Sequence, residues 1–569
     1  MRAGFPATSS GRRPKLAALL CAGSLWAGSS LLTPLTGPAG ATAESLPGAL
    51  GATAAAEVAA STSQLPRGTV VDCTGPETFP APGSAAWRLR DLENQVCATG
   101  RLSDELTNPA LTAAFAEQTP GLFAGQTLSM LSQPGHLHLT LAQLLAGGST
   151  ADAFRTISRW TAATHGTVTP VRFAATDGAV LNGYVFEPPA AGRDPVTGLS
   201  WNPSSRLPGV VITTGSIQGY QQLYFWAAEG LAEAGYVVLT YDVQGQGDSD
   251  TFPGGGPVPC VRDLLETSHS CPGVPFQQSY NFFQGAEDSL NFFLSTPAHP
   301  YEHAGTSTGV EAYDPVYGRI DPGHIGIAGH SLGATAVSEL AQCDPRVQAV
   351  VAWDYLSAAG GTCTGDFSGL PPGAPAAPSP HAPALSLNSD YFLNPEPMLS
   401  QPDPATDAKS SGFEQVSKAG IDAMQISLRG STHLEYSYIP YILPASSLGE
   451  RVAFYYTLAW FDRYLRGVTD PGVAAGAYQR LTATVFGTSS DRHSIGAGTY
   501  SPAQALSDPA DPTAGNVPPR IAGLAAANQL SVYYPSMLRL HDPGTGAVTV
   551  CNATGTTLGH QCWGGPTEY

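Results

Sequence analysis

Residues 325–340 read IGIAGHSLGATAVSEL. An apolar run, Ile325-Gly326-Ile327-Ala328, meets Gly329-His330-Ser331-Leu332-Gly333, and a small-residue run of helical character, Ala334–Leu340, follows. The pattern predicts a strand, a very tight turn and a helix, with a serine at the turn. Glycines at both ends let strand and helix approach closely, and the strained turn lifts the Ser331 hydroxyl over the sheet edge. The next N–H, that of Leu332, then points to where an oxyanion forms. A second match to this spacing, Gly305-Thr306-Ser307-Thr308-Gly309, has no apolar strand before it and no helix after it. It reads as a loop, which leaves Ser331 as the candidate.

Upstream, Val171–Thr176 and Leu181–Pro188 flank Asp177-Gly178, a hairpin signature. Gly209–Thr214 reads as a buried strand that ends in Gly215-Ser216-Ile217-Gln218-Gly219, and a helix is expected over Tyr224–Ala234. Tyr236–Asp242 is a further strand and Gly285–Leu294 a helix. Beyond Ser331, strands are expected at Val347–Trp353, Ala384–Asn388 and Ala423–Leu428, and helix Arg451–Leu465 closes the unit. Strands alternating with helices predict an α/β fold, a mostly parallel sheet covered on both faces. Residues 250–281 and 297–320 are Pro/Gly-rich insertions of the kind that shape binding sites.

From Val168 to Gly467 the chain resembles the α/β-hydrolase superfamily, in its serine esterase and lipase-like branch with a dienelactone-hydrolase-like core. The resemblance rests on the hairpin, the strand before Gly215, Tyr241-Asp242-Val243-Gln244-Gly245-Gln246-Gly247-Asp248-Ser249 and Gly329–Gly333, in that order. Gln244 stands where the family more often has arginine. The resemblance implies a nucleophile, an acid and a histidine in that chain order. A serine hydroxyl needs a base within hydrogen-bond reach and a third group to fix that base's tautomer. His433, after the Ala423–Leu428 strand, is the expected base; His330 adjoins the serine and His493 lies beyond the unit. Asp390, directly after Ala384–Asn388, is the expected acid, with Asp354 after Val347–Trp353 as the alternative that some members use. The second oxyanion donor is expected at Ser216, beside Leu332. Phe276, Tyr280, Phe282, Phe283, Phe292 and Phe293 read as core, whereas Tyr391, Phe392, Tyr436 and Tyr438 flank the acid and the base and are pocket candidates.

The ends of the chain read differently. Arg2, Arg12, Arg13 and Lys15 precede an apolar Leu16–Leu32, and Ala41-Thr42-Ala43 matches a small-x-small cleavage pattern. Residues 1–43 are therefore expected to be a signal peptide cut before Glu44, not a stable membrane anchor. Residues 44–83 read as low-complexity and disordered, 84–167 as a helical extension, 168–467 as the catalytic domain and 468–569 as a small β-containing appendage. Removing residues 1–43 takes four of the 26 basic residues and none of the 45 acidic ones, leaving a formal charge of −23. That charge, without a basic patch, argues against a nucleic-acid partner. Eight of the nine cysteines then remain, in close neighbours Cys73/Cys97, Cys260/Cys271, Cys343/Cys363 and Cys551/Cys562. Four short-loop disulfides in an oxidising compartment are expected, and the absence of a C-x-x-C pair argues against a metal site.

These readings point to a secreted serine hydrolase of carboxylic esters that requires no cofactor. Its substrates would be small molecules, lipids or polyesters. A peptidase or amidase of the prolyl-peptidase-like group would use the same three residues, and a non-catalytic binding protein could use the same scaffold.

Overall fold

The computed structural model describes residues 166–250, 279–360, 380–391, 409–437, 447–487, 521–553 and 558–565, except for 195, 216–220, 245, 247, 248 and 532. The expected signal peptide, the low-complexity stretch and the helical extension to residue 165 lie outside the described residues, as do 251–278 of the first insertion.

Two strands, β1 (Thr167–Ala174) and β2 (Val180–Glu187), form the expected antiparallel hairpin. Its loop closes with Gly178 at φ 89°, a conformation that glycine adopts without strain. A short ribbon, β3 (Gly192–Arg193) and β4 (Ser200–Trp201), leads to β5 (Leu207–Thr213). Helix α1 (Phe225–Glu233), strand β6 (Val237–Tyr241), helix α2 (Ser279–Phe293) and strand β7 (Ile320–His330) follow. Then come α3 (Leu332–Cys343), β8 (Val347–Trp353), β9 (Ala384–Tyr391), α4 (Ser411–Lys418) and β10 (Ala423–Thr432). The last elements are α5 (Ser447–Phe461), which runs into a π-helical turn at Asp462–Arg466, α6 (Pro471–Leu481), β11 (Met537–His541) and β12 (Val548–Cys551).

Ten strands make one sheet in the order β1-β2-β6-β5-β7-β8-β9-β10-β11-β12. From β6 to β10 every pairing is parallel, while β1–β2, β2–β6, β10–β11 and β11–β12 are antiparallel. Strands β5, β6 and β8 are mostly apolar because both faces are covered; all five residues of β6 are buried. One core forms with α1 and α5, the other with α2, α3 and α4. Phe282, Phe292 and Phe293 sit in the second core, as the sequence suggests. The order reverses around β5, whose neighbours are β6 on one side and β7 on the other. In such sheets the crevice at the carboxyl ends of the strands beside that reversal is where ligands bind.

The C-terminal region is not a separate appendage in its strands: β11 and β12 extend the central sheet from β10. Leu481 ends α6, and Leu530 makes an isolated bridge to Leu428. Cys551 and Cys562 are joined as expected. Cys343 is disulfide-bonded, and its expected partner Cys363 lies outside the described residues, with Cys73, Cys97, Cys260 and Cys271. No helix among the described residues is long and apolar enough to cross a membrane.

Two buried acids make the fold sensitive to pH. Glu287 in α2 is fully buried, and neither carboxylate oxygen has a hydrogen-bond partner among the described residues. Burial first, then the charges of Asp288 and Asp344, push its pKa up to about 7 against the pull of Arg346. Burial also pushes Asp314 to about 7, helped by Glu187 and Glu311 and opposed by the Val316 N–H. The folded state therefore holds these protons where the unfolded chain has released them. Their contribution is complete below the unfolded carboxylate range and is lost as pH rises through about 7. The melting temperature should fall as pH is raised over that window, and Glu287→Gln should flatten the fall in scanning calorimetry. An unchanged slope in that variant would refute the assignment.

Candidate active site

The site begins with backbone geometry. Residue Gly329 cannot carry a side chain, since a Cβ there would lie 2.4 Å from the Gly333 carbonyl oxygen. A Cβ on Gly333 would lie 2.3 Å from the carbonyl oxygen of Thr214, at the end of β5. With both positions reduced to hydrogen, β7 turns straight into α3, and Ser331 is held at φ 57°, ψ −121°. Its N–H donates to the carbonyl of Trp353 at 3.0 Å, which ties the turn to the end of β8. Leu332 is the first residue of α3, where N–H groups have no acceptor within the helix. The competing Ser307 donates its hydroxyl to the carbonyl of Gly178 at 2.6 Å and serves to close a loop against the β1–β2 hairpin.

Strand ends align the remaining groups. Gly329 pairs with Ala352, Trp353 with Leu387, and Leu428 with Ser389. The carboxyl ends of β7 to β10 therefore lie side by side, and the segments leaving them meet. His433 Nε2 is 2.9 Å from Ser331 Oγ, and its Nδ1 is 2.8 Å from Asp354 Oδ2. A carboxylate can only accept, so Nδ1 carries the proton and Nε2 is left to accept from the serine hydroxyl. The side chain of His433 is 14% exposed and that of Asp354 only 4%, so the imidazole is reachable from outside and the carboxylate is not.

The aspartate that the structure sets against His433 is Asp354, the alternative from the sequence, and not Asp390. Strand β9 does not stop at Asn388 but continues to Tyr391, so Asp390 lies within the strand. Its carboxylate accepts from the hydroxyl of Ser531, in the C-terminal segment. Asp354 instead leaves the end of β8 at φ 42° and reaches the imidazole. Its Oδ1 accepts the Ser389 N–H at 2.9 Å, and its Oδ2 accepts the Ser389 hydroxyl at 2.6 Å. Burial opposes its ionisation, but Lys409, His433 and Ser389 outweigh that and hold the carboxyl well below the usual range. Lys409 Nζ is 3.7 Å from Asp354 Oδ1 and was not foreseen from the sequence. Among the described residues the non-glycine positions with positive φ are Ser331, Asp354 and Lys409, all three in this site. Such outliers persist where the surrounding structure over-determines them.

His330 has a distinct task. Its Nε2 is 2.7 Å from the carbonyl oxygen of His433, which can only accept, so that nitrogen bears the proton. Nδ1 then accepts from the Tyr224 hydroxyl at 2.8 Å, while the same oxygen accepts the Gly215 N–H at 2.9 Å. Burial first, then His433, push the His330 pKa down to about 3, so the ring stays neutral and the pattern keeps one direction. One buried imidazole thereby links the end of β5, the serine turn and the backbone of His433. The predicted oxyanion donor Ser216 lies outside the described residues; Gly215, beside it, stands against Ser331, since a Cβ there would be 3.2 Å from the serine Cβ. Tyr436 is fully buried with its ring 6.1 Å from that of His330, so it supports the site from behind and is not a pocket wall. Phe276, Phe392, Tyr438 and His493 lie outside the described residues, and nothing is described for the side chains of Tyr280 and Tyr391.

The chain resembles a known hydrolase. It is 28% identical over 182 residues to the thiohydrolase apmlB of Arthrinium phaeospermum, a match covering 32% of this chain and 41% of that protein. The aligned part thus spans about two fifths of the relative's length. No protein-family model matches the chain. The similarity supports hydrolase chemistry in an α/β sheet protein and goes no further. Among the described residues no group of three His, Cys, Asp or Glu side chains is placed to hold a metal ion. A groove of about 370 Å³ beside α6, lined by Tyr455, Val473, Ala477 and Arg480, shares no residue with the Ser331 cluster.

The geometry separates the two aspartates experimentally. Asp354→Asn should slow the reaction of Ser331 with a fluorophosphonate by about 10⁴-fold, because the imidazole loses the partner that fixes its tautomer. Asp390→Asn should leave that rate near the wild-type value. It should lower stability by about 1–3 kcal/mol through the weakened buried bond to Ser531. Reversed effects would restore Asp390 as the acid.

Proposed function

We propose that this chain is a secreted serine hydrolase that cleaves carboxylic esters through an acyl-enzyme on Ser331. The observation that supports this most is the continuous hydrogen-bonded line from Ser331 Oγ through both nitrogens of His433 to Asp354. The strand order, with β2 antiparallel to a parallel β6–β10 block, supports placement in the α/β-hydrolase superfamily.

In this reading Ser331 Oγ attacks the carbonyl carbon while its proton passes to His433 Nε2. Asp354 stabilises the imidazolium that results. The tetrahedral oxyanion sits against the Leu332 N–H and, by expectation, that of Ser216; losing one such donor costs about 3–4 kcal/mol of transition-state stabilisation. His433 returns the proton to the leaving group as the bond to it breaks. Water then gives a proton to His433 and attacks the acyl-enzyme, releasing the acid and restoring Ser331. Every proton in this cycle is handled by side chains of the chain itself. Export is supported by the N-terminal pattern and by the Cys551–Cys562 bond, which suits an oxidising compartment.

The name of the relative favours a second reading, a thioester substrate. A thiolate leaves more readily than an alkoxide, and the same three residues would serve. A peptide amide, as in prolyl-peptidase-like enzymes, asks more of His433 as an acid because the amine must be protonated to leave.

The deciding measurement compares short- and long-chain p-nitrophenyl esters, acyl thioesters and peptide anilides on the full chain, with Ser331→Ala alongside. Ester turnover should fall by about 10³-fold or more in the variant. Dominant thioester turnover would move the substrate class, and activity on anilides alone would make the protein a peptidase. Full activity in Ser331→Ala, or a fluorophosphonate adduct on Ser307, would remove the mechanism.

A further inference from the structure

We propose that Lys409 is a positioning residue that acts through the Asp354 carboxylate to set the lower pH limit at which His433 can serve as base. The inference rests on the serine-hydrolase reading of Ser331.

A buried lysine is costly unless its charge is paired. Lys409 is one of three lysines in the chain, it is 9% exposed, and it sits just before α4 at φ 50°, a conformation unfavourable for a side-chain-bearing residue. Its ammonium is fixed from three directions. Nζ donates to the carbonyl of Ser389 at 2.9 Å, lies over the Tyr534 ring 4.9 Å from its centre, and stands 3.7 Å from Asp354 Oδ1. Ser389 is also the residue whose N–H and hydroxyl both hold Asp354. Lys409 and His433 therefore use different oxygens of one carboxylate, Oδ1 and Oδ2.

That arrangement has a consequence for the base. A lone carboxylate beside an imidazole favours the protonated ring, which cannot accept from a serine. A cation on the other oxygen offsets part of that preference, so the neutral, working form of the ring persists to lower pH. Among the described residues, none of His330, Tyr224, Tyr436, Asp390 and Glu435 supplies such a charge. His330 from β7 stays neutral, Tyr224 and Tyr436 carry hydroxyls, and Asp390 and Glu435 are acids. A lysine that only braced the Ser389 carbonyl would change rates without moving their pH dependence.

The test is the pH dependence of fluorophosphonate labelling at Ser331, measured beside kcat/KM for an ester. Removing the cation favours the imidazolium, so the acid limb should move upward by about one pH unit in Lys409→Met. Lys409→Gln keeps a donor for the Ser389 carbonyl and should shift the limb equally, which covers the event that the Met variant fails to fold. Lys409→Arg, retaining the charge, should return the limb to its wild-type position. A limb that stays in place in the neutral variants while the plateau rate falls would overturn the proposal and leave a bracing role. Absence of labelling at Ser331 in the wild type at every pH would overturn the serine-hydrolase reading itself, a result distinct from an unmoved limb.

Discussion

The close approach of Gly333 to the carbonyl oxygens of Thr213 and Thr214 is the constraint on which the site depends. It brings the first turn of α3 onto the end of β5, and only a residue without Cβ allows it. Once α3 is seated there, the single residue between β7 and α3 has to reverse the chain, and Ser331 is driven into a conformation that few side-chain-bearing residues occupy. The same contact puts Gly215 beside the serine, so Ser331 and the exit of β5 are fixed by one packing event. The strain is local, whereas its compensation is distributed over the pairing of β5, β7 and β8.

Much of this was legible in the sequence because its signals are local. The apolar run before Gly329, the small residues after Gly333 and the Asp177-Gly178 hairpin each specify a backbone shape within a few residues. His433 was legible by position, at the exit of the last apolar strand before a helix. The acid was not. In the sequence an aspartate follows both apolar runs, Asp354 directly after Val347–Trp353 and Asp390 two residues after Asn388, and Asn388-Ser389-Asp390 has the composition of a turn. In the structure those polar residues stay in the strand because each finds a buried partner. Ser386 donates to Asn388 at 2.7 Å, Ser389 holds Asp354, and Ser531 reaches Asp390 from 141 residues away. Partners at that separation leave no periodic trace. For the same reason nothing in the sequence singles out Lys409, and residues 468–569, which contain β11 and β12, read as an appendage.

Charge in the site is balanced by unlike means. Asp354 is buried, and a buried carboxylate on its own would take up a proton. Here a cation and three hydrogen bonds outweigh the loss of water. His330, also buried, hydrogen-bonds to a hydroxyl and a carbonyl, and burial outweighs the pull of Asp354 and keeps it neutral. Its value lies in the asymmetry of a neutral imidazole, one nitrogen a donor and the other an acceptor, which lets it join a carbonyl to a hydroxyl with each bond in a defined direction. Two histidines with rings 4.7 Å apart thus do different work because only one of them faces a carboxylate.

The C-terminal strands bear on the chemistry through this same balance. Tyr534, just before β11, lies under the Lys409 ammonium, and Ser531 occupies the carboxylate of Asp390. Ser427 in β10 is tied to this segment: its N–H donates to the Ser536 hydroxyl, and its own hydroxyl donates to the carbonyl of Pro535. The segment 531–536 therefore stitches β9, β10 and the loop before α4 together behind Asp354. If β11 and β12 had formed an independent appendage, the cation beside the acid would have water on one side and little reason to hold its place. Because they complete the sheet, Lys409 is kept dry against an aromatic face. In that setting its effect on a carboxylate 3.7 Å away is screened much less than it would be in water. The C-terminal segment thus helps to fix the charge beside Asp354, although none of its described residues joins the hydrogen-bonded line of Ser331, His433 and Asp354.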